Sequence, residues 1–234
     1  GYLDHVEQVI GWAAENGIYV LLDMHQDIYS GAFGGDDAPP WACVDDLNDP
    51  NLLLQPWFAT YFTPEVIASF NKLWSDDGLQ AHFVEAWKAV ATRAKSYSNV
   101  VGYDLFNEPF PGWQWPWQFE AGSLSQFYAK VGTAIRAIDV NAILFLEPAA
   151  LTANEGFPTS IQAPADTPVA YAPHFYDPLL LTGNGYAGKW LAQAALAIMK
   201  SQASAMGGPL FIGEFGTLRD LPKAVEAMRD QCDV

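Results

Sequence analysis

Val100-Val101-Gly102-Tyr103-Asp104-Leu105-Phe106 runs straight into Asn107-Glu108-Pro109, and Pro209-Leu210-Phe211-Ile212-Gly213 runs into Glu214-Phe215-Gly216. Each run is short and apolar, which predicts a strand buried on both faces of a parallel sheet. In a barrel of parallel strands, the C-terminal strand ends form the active-site face. A carboxylate is costly to bury without a partner or a task. Two carboxylates at two such ends are what cleavage of a sugar bond requires, one as acid and one as nucleophile or base.

The rest of the chain alternates in the same way. Leu3, Val6, Val9, Ile10 and Ala13 recur at helical spacing, and Asn16-Gly17 stops that helix. A strand is predicted at 18–22, and residues 36–56, rich in Asp, Pro, Asn and Gly, read as a long loop. Thr63-Pro64-Glu65 opens a helix with Thr63 as its cap. Phe83, Trp87, Val90, Ala91 and Ala94 mark another. Further helices are predicted at 122–138, 186–206 and 221–229, and further strands at 143–146, 169–173 and 210–213. Five strands alternating with helices are the signature of a parallel α/β fold. Polar groups follow several different strands, which favours a TIM (β/α)8 barrel over a doubly wound sheet. A full barrel needs eight strands. The expectation is therefore a single catalytic barrel domain over residues 1–234, incomplete and truncated at both ends.

Half of the 234 residues are apolar, enough for one large core. Lys and Arg total 11 against 27 Asp and Glu, a formal charge of −16. That balance argues against a nucleic-acid partner and gives no pull toward anionic membranes. No run of eighteen apolar residues is present, so no integral membrane segment is expected. No signal peptide opens the chain. Cys43 and Cys232 match no zinc or redox motif, and their pairing is open. The 9 Trp, 10 Tyr and 14 Phe exceed what a core needs, and those in loops suit stacking on sugar rings or lipid.

Several residues beside the two glutamates are candidates for the site. Asn107 can hold a sugar hydroxyl or orient Glu108, and Pro109 forces a turn. Gly213 and Gly216 allow close approach around Glu214. Asp23, His25 and Asp27 are spaced by two and share one face of an extended segment, either touching substrate or supporting the glutamates. His174 and Tyr176 follow the 169–173 strand with the same spacing. A phenol beside a carboxylate can hydrogen-bond it and hold it ionised. Trp113, Trp115 and Trp117 fall on one side if extended, as a binding stripe or a loop anchor. His25, Asp27, His174 and the glutamates also allow a metal-site reading, although such sites usually carry more histidine. No metal and no cofactor is expected.

These motifs resemble glycoside hydrolase family 5, a retaining clan with the TIM barrel. In that family Asn-Glu-Pro after the fourth strand carries the acid/base, and the nucleophile follows the seventh. The similarity is closer still to the endoglycoceramidase branch. LLDMHQDIYS (21–30), FGGDDAPPWAC (33–43), GYDLFNEPFPG (102–112), HFYDP (174–178) and GEFG (213–216) all look like that group. The resemblance implies that Glu108 is the acid/base and Glu214 the nucleophile. It implies that His25, Asp27 and Asn107 bind the sugar and that Tyr176 supports Glu214. His174 is placed with this substrate-binding set. The implied activity is retaining hydrolysis of the β-glycosidic bond between oligosaccharide and ceramide. A β-glucosylceramidase, an endo-β-1,4-glucanase and an inactive glycolipid-binding fragment are the alternatives. Transient contact with lipid aggregates and a secreted location go with that reading. Two departures stand out. Asp37 occupies a position where the family's loop carries Gly. Family order also makes the five strands the third to seventh, so the aromatic normally supplied by the eighth is unassigned.

Overall fold

The structure, a computed structural model, describes residues 1–44, 53–150, 152–165, 168–217 and 221–234. Helix α1 (Tyr2–Glu15) leads into strand β1 (Val20–Asp23), and Gly17, with φ of +67°, makes the turn between them. Helices α2 (Pro64–Ser75) and α3 (Asp77–Ala94) precede β2 (Val100–Asp104). Then follow α4 (Pro116–Phe119), α5 (Ser125–Arg136), β3 (Ile143–Leu146), β4 (Val169–Tyr171), β5 (Phe175–Tyr176), α6 (Pro178–Leu181), α7 (Trp190–Met206), β6 (Phe215–Gly216) and α8 (Ala224–Cys232).

Strands β1 to β4 form one parallel sheet in chain order. Leu22 lies opposite Tyr103, Tyr103 opposite Leu144, and Phe145 opposite Ala170. A doubly wound sheet reverses its order partway; this one never does, as in an arc of a barrel. The expected strand at 210–213 is the one that differs. It runs beside β4 through Tyr171 N–H to Pro209 O at 3.0 Å and Phe211 N–H to Tyr171 O at 2.9 Å, but forms only a single bridge at Leu210. Pro173 has no N–H to donate, so the ladder breaks there and resumes as the pair β5–β6.

Helix boundaries moved for local reasons. The helix expected at 122–138 begins at Pro116, because Glu120–Leu124 forms a π-helical turn that joins α4 to α5. Gly122 therefore marks a turn inside the helix rather than its start. The helices expected at 186–206 and 221–229 are Trp190–Met206 and Ala224–Cys232. Thr63 stands at the cap position of α2, but its hydroxyl donates to Thr60 O at 2.8 Å and caps nothing. The loop expected at 36–56 includes 45–52, which lies outside the described residues. Cys43 is buried and Cys232 exposed, both as free thiols. No helix among the described residues is long and apolar enough to cross a membrane.

The main core lies between the sheet's outer face and α1, α2, α3 and α5. Trp87 packs edge-to-face on Tyr103, and its indole N–H donates to Leu105 O at 3.1 Å. The Trp74 N–H donates to Phe110 O at 2.9 Å. These two buried indoles tie α3 and α2 to the backbone on either side of Asn107-Glu108. Truncating such a buried ring costs about 3–5 kcal/mol, so the segment that carries Glu108 is anchored to the core on both sides.

Candidate active site

Period-two alternation carries one side chain after another onto the concave face of the sheet. Leu21 is followed by Asp23, Ile143 and Phe145 by Glu147, and Ala170 and Ala172 by His174. Glu108 and Glu214 arrive from the segments after β2 and before β6. One carboxylate oxygen of each glutamate and one ring nitrogen of His174 all lie within 4.8 Å of one another. The expected pair is thus brought together from positions more than a hundred residues apart.

Tyr176 donates its hydroxyl to Glu214 Oε2 at 2.8 Å. Burial, then that bond to a carboxylate, raises the phenol well above its ordinary pKa, so it stays a donor. His174 is 2% exposed and sits among three carboxylates. Its Nδ1 is 3.0 Å from Glu108 Oε1 and 3.6 Å from Glu214 Oε2, and its Nε2 is 3.3 Å from Glu147 Oε1. Burial alone would discharge the imidazole, but its bonds to Glu108 and Glu147 outweigh that and raise it to about 11. Both nitrogens are occupied and the ring is buried, so His174 faces the glutamates, unlike the half-exposed His25. Glu108, His174 and Glu214 offer ligand atoms close enough for one metal ion to share, but both His174 nitrogens already face carboxylates within the site. Gly213 is needed here, since a Cβ on it would lie 3.0 Å from the His174 ring.

Asp23, His25 and Asp27 do form one row. His25 Nδ1 is 2.8 Å from Asp23 Oδ2 and its Nε2 is 3.5 Å from Asp27 Oδ2. Hydrogen bonds to Asp23 and then Asp27 raise His25 to about 11. Both side chains are half-exposed and open to a ligand. Asn107 is buried; its Nδ2 donates to Gln26 O at 2.9 Å and lies 3.5 Å from His25 Nε2.

Three groups essential to this geometry had no place in the sequence reading. Gln26 is fully buried and donates to the carbonyls of Asn107 and Glu108 at 3.0 and 3.1 Å. Glu147, 1% exposed, accepts the Glu108 backbone N–H at 2.7 Å. Burial raises its pKa to about 7, against the pull of His174. Asn154 donates to Glu108 Oε1 at 3.5 Å and accepts from His174 N–H at 2.9 Å. A signal for Glu147 existed, since Leu144-Phe145-Leu146-Glu147-Pro148 repeats the pattern of an apolar run ending in Glu-Pro. Gln26 carried none. Asp104, 4% exposed, lies beneath them with its Oδ1 unpartnered among the described residues, and burial pushes its carboxyl far above the usual range.

The backbone is strained where the site needs it. Glu108 has φ of +43°, and Ile28 and Tyr29, just after Asp27, have +55° and +69°. Non-glycine residues in that region cost about 1–3 kcal/mol each. Tyr61 hydroxyl accepts the Ile28 N–H at 3.0 Å, and Gln26 Oε1 accepts the Tyr29 N–H at 2.9 Å, which holds the bend. Gly35 lets the loop return, since a Cβ there would meet Asp27 O at 1.8 Å. Asp37, the departure from the family's glycine, has φ of +83°. The tryptophans do not form an extended stripe. Trp113 lies in a turn and is 75% exposed, while Trp115 and Trp117 stack on each other at 5.4 Å where α4 begins.

The chain resembles known proteins in sequence and fold. The chain is 32% identical over 191 residues to endoglycoceramidase I of Rhodococcus hoagii. It superposes on endo-glycoceramidase II from Rhodococcus sp. in a ganglioside GM3 complex with a TM-score of 0.88, 35% identity and 97% of this chain covered. On the lactosyl-enzyme intermediate of that enzyme the TM-score is 0.83, with 33% identity and 99% of this chain covered. The chain spans only part of each, 38% of the first protein's length and 57% and 56% of the solved chains. The family Cellulase (glycosyl hydrolase family 5) matches residues 1–231. With strand-end glutamates on a parallel barrel arc and a family match over nearly its whole length, the chain belongs to glycosyl hydrolase family 5, the cellulase family.

Proposed function

We propose that this chain carries the catalytic centre of a retaining endoglycoceramidase, which releases intact oligosaccharide from ceramide. One observation carries the reading. A carboxylate oxygen of Glu108 lies within 4.8 Å of one of Glu214, the close pairing that retaining enzymes use, where inverting ones hold the two groups apart with room for a water. Glu214, held by Tyr176, attacks the anomeric carbon as the bond to the ceramide oxygen breaks. Glu108 gives its proton to that oxygen. Glu108 then takes a proton from water, which attacks the glycosyl-enzyme and restores Glu214. His25, Asp27 and Asn107 line the sugar side. The similarity to a glycoceramidase with a ganglioside complex and a lactosyl-enzyme intermediate supports the glycolipid substrate. Exposed Trp113, Trp115 and Trp117 suit contact with a lipid aggregate. A secreted location goes with this reading.

The test is chemical rescue in the full natural polypeptide that contains this chain. Glu214→Ala should lose hydrolysis, and azide should then give a product of inverted configuration. Glu108→Ala should keep turnover of substrates with very good leaving groups, and azide should give the retained configuration. Wild-type-like hydrolysis of a natural glycolipid by either variant would overturn the assignment. With unmodified protein, a fluorescent lactosylceramide should yield intact lactose. Glucose alone from glucosylceramide would indicate the sister activity, and cleavage of cellulose-type polymers with none of glycolipid would remove the lipid. Binding without turnover would leave a glycolipid-binding fragment.

A further inference from the structure

We infer that Glu147 is a positioning residue for the acid/base Glu108, acting through the Glu108 backbone and through His174; the inference rests on the retaining reading above. The three residues close a ring. Glu147 Oε2 accepts the Glu108 backbone N–H at 2.7 Å, and Glu147 Oε1 faces His174 Nε2 at 3.3 Å. His174 Nδ1 returns to Glu108 Oε1 at 3.0 Å. Residues on three successive strand ends thus fix both the left-handed backbone and the carboxylate of a single glutamate. Glu147 is itself clamped, since Tyr128 donates its hydroxyl to the Glu147 carbonyl at 2.8 Å.

The chemistry requires a carboxylate at 147. Its two oxygens serve two donors, one N–H from the Glu108 backbone and one from an imidazole that has both nitrogens protonated. An amide has one acceptor oxygen and a donor NH2 group. It must therefore oppose one of those two donors with a donor of its own. The charge matters as well, because a buried imidazolium persists only between anions. The other titratable groups against Glu147 are Asp104 and Asp23, whose carboxylate oxygens lie within 4.8 Å of its own. Asp104 is pushed toward its neutral form by burial, and Asp23 is paired with His25. Neither replaces the anion that His174 needs.

The role is separable from mere support of the fold. A group that orients the proton donor matters where the leaving group needs a proton, and not where it departs unaided. In the full natural polypeptide, Glu147→Gln should lower kcat/KM for lactosylceramide by roughly ten- to hundredfold, part of the roughly 10²–10⁴ that a general acid contributes. For 2,4-dinitrophenyl β-lactoside, kcat/KM, which reports glycosylation alone, should stay within about threefold of wild type. Glu147→Asp, which keeps the charge on a shorter stem, should show the same split with a smaller loss. Equal losses on both substrates, or none on either, would overturn the inference. Glu108→Ala is the control. If it fails to show the split, the acid/base reading is what fails. Nitrogen-15 spectra of the unmutated protein test the ring directly, whatever the variants do. His174 should show both nitrogens protonated at pH 8, and a neutral imidazole at that pH would overturn the inference.

Discussion

Tyr176→Phe removes a single oxygen, the one that donates to Glu214 Oε2 at 2.8 Å. The ring stays, so the packing beneath Glu214 is kept. A hydrogen bond to a charged group contributes about 1.5–3 kcal/mol. Glu214 is partly exposed, 38% of its side chain, so water replaces some of the loss and the lower half of that range applies. About 2 kcal/mol is a roughly 30-fold fall in kcat/KM at 1.36 kcal/mol per tenfold. The effect falls on the nucleophile rather than on the proton donor. It should therefore appear equally with lactosylceramide and with a dinitrophenyl lactoside, unlike the split expected for substitutions around Glu108. The assay is rapid-mixing measurement of glycosyl-enzyme formation, with a thermal melt in parallel. A loss below about threefold would refute the claim that the phenol holds the nucleophile. A large loss accompanied by a collapsed melting temperature would make Tyr176 a structural residue instead.

Asp27→Ala should lower turnover by roughly ten- to hundredfold while the melting temperature moves by no more than a few degrees. Its contacts to His25 and Tyr61 are both long, 3.5 Å, and the half-exposed pair with His25 contributes about 0–1 kcal/mol; activity lost only in proportion to stability would refute this. His25 and His174 are each raised to about 11 from 6.5 in the folded state. The folded protein binds more protons than the unfolded chain, so the stability they contribute is present below 6.5 and is lost as pH rises toward 11. Glu147, raised from 4.5 to about 7, adds a loss between those two values. Melting temperature should therefore fall steadily from pH 7 to 10, and a flat profile would contradict the charged histidines. Asp37→Gly should relieve the left-handed backbone at φ of +83°. Asp tolerates that region better than most residues, so a gain of about 1 kcal/mol and a melting temperature higher by about 2–4 °C are expected; a lower melting temperature would show that the carboxylate contributes more than its backbone costs.

The strand ends were legible in advance because burial leaves a one-dimensional trace. An apolar run of five to seven residues closed by Glu and a turn residue reads the same way in sequence and in space. That trace located Glu108, Glu214 and the pairs His25/Asp27 and His174/Tyr176, whose spacing by two needs only an extended backbone. It misplaced what depends on hydrogen-bond continuity. The 210–213 segment is extended and parallel to β4, yet Pro173 removes the donor that would complete its ladder. The helix before β3 starts six residues early because a π turn absorbs Gly122.

By itself the sequence determined the α/β alternation, the two glutamates and the polar groups on their strands, since each follows from local periodicity and from the cost of burying charge. Only the tertiary structure decided what those groups do to one another. Gln26 and Glu147 are remote from Glu108 in the chain, and nothing local marks a side chain that will meet a backbone N–H or carbonyl on another strand. His174 could be read as a sugar ligand until the fold put a carboxylate at each nitrogen. Protonation and reach are set by through-space neighbours at 3 Å, and those neighbours exist only once the parallel strands are in register.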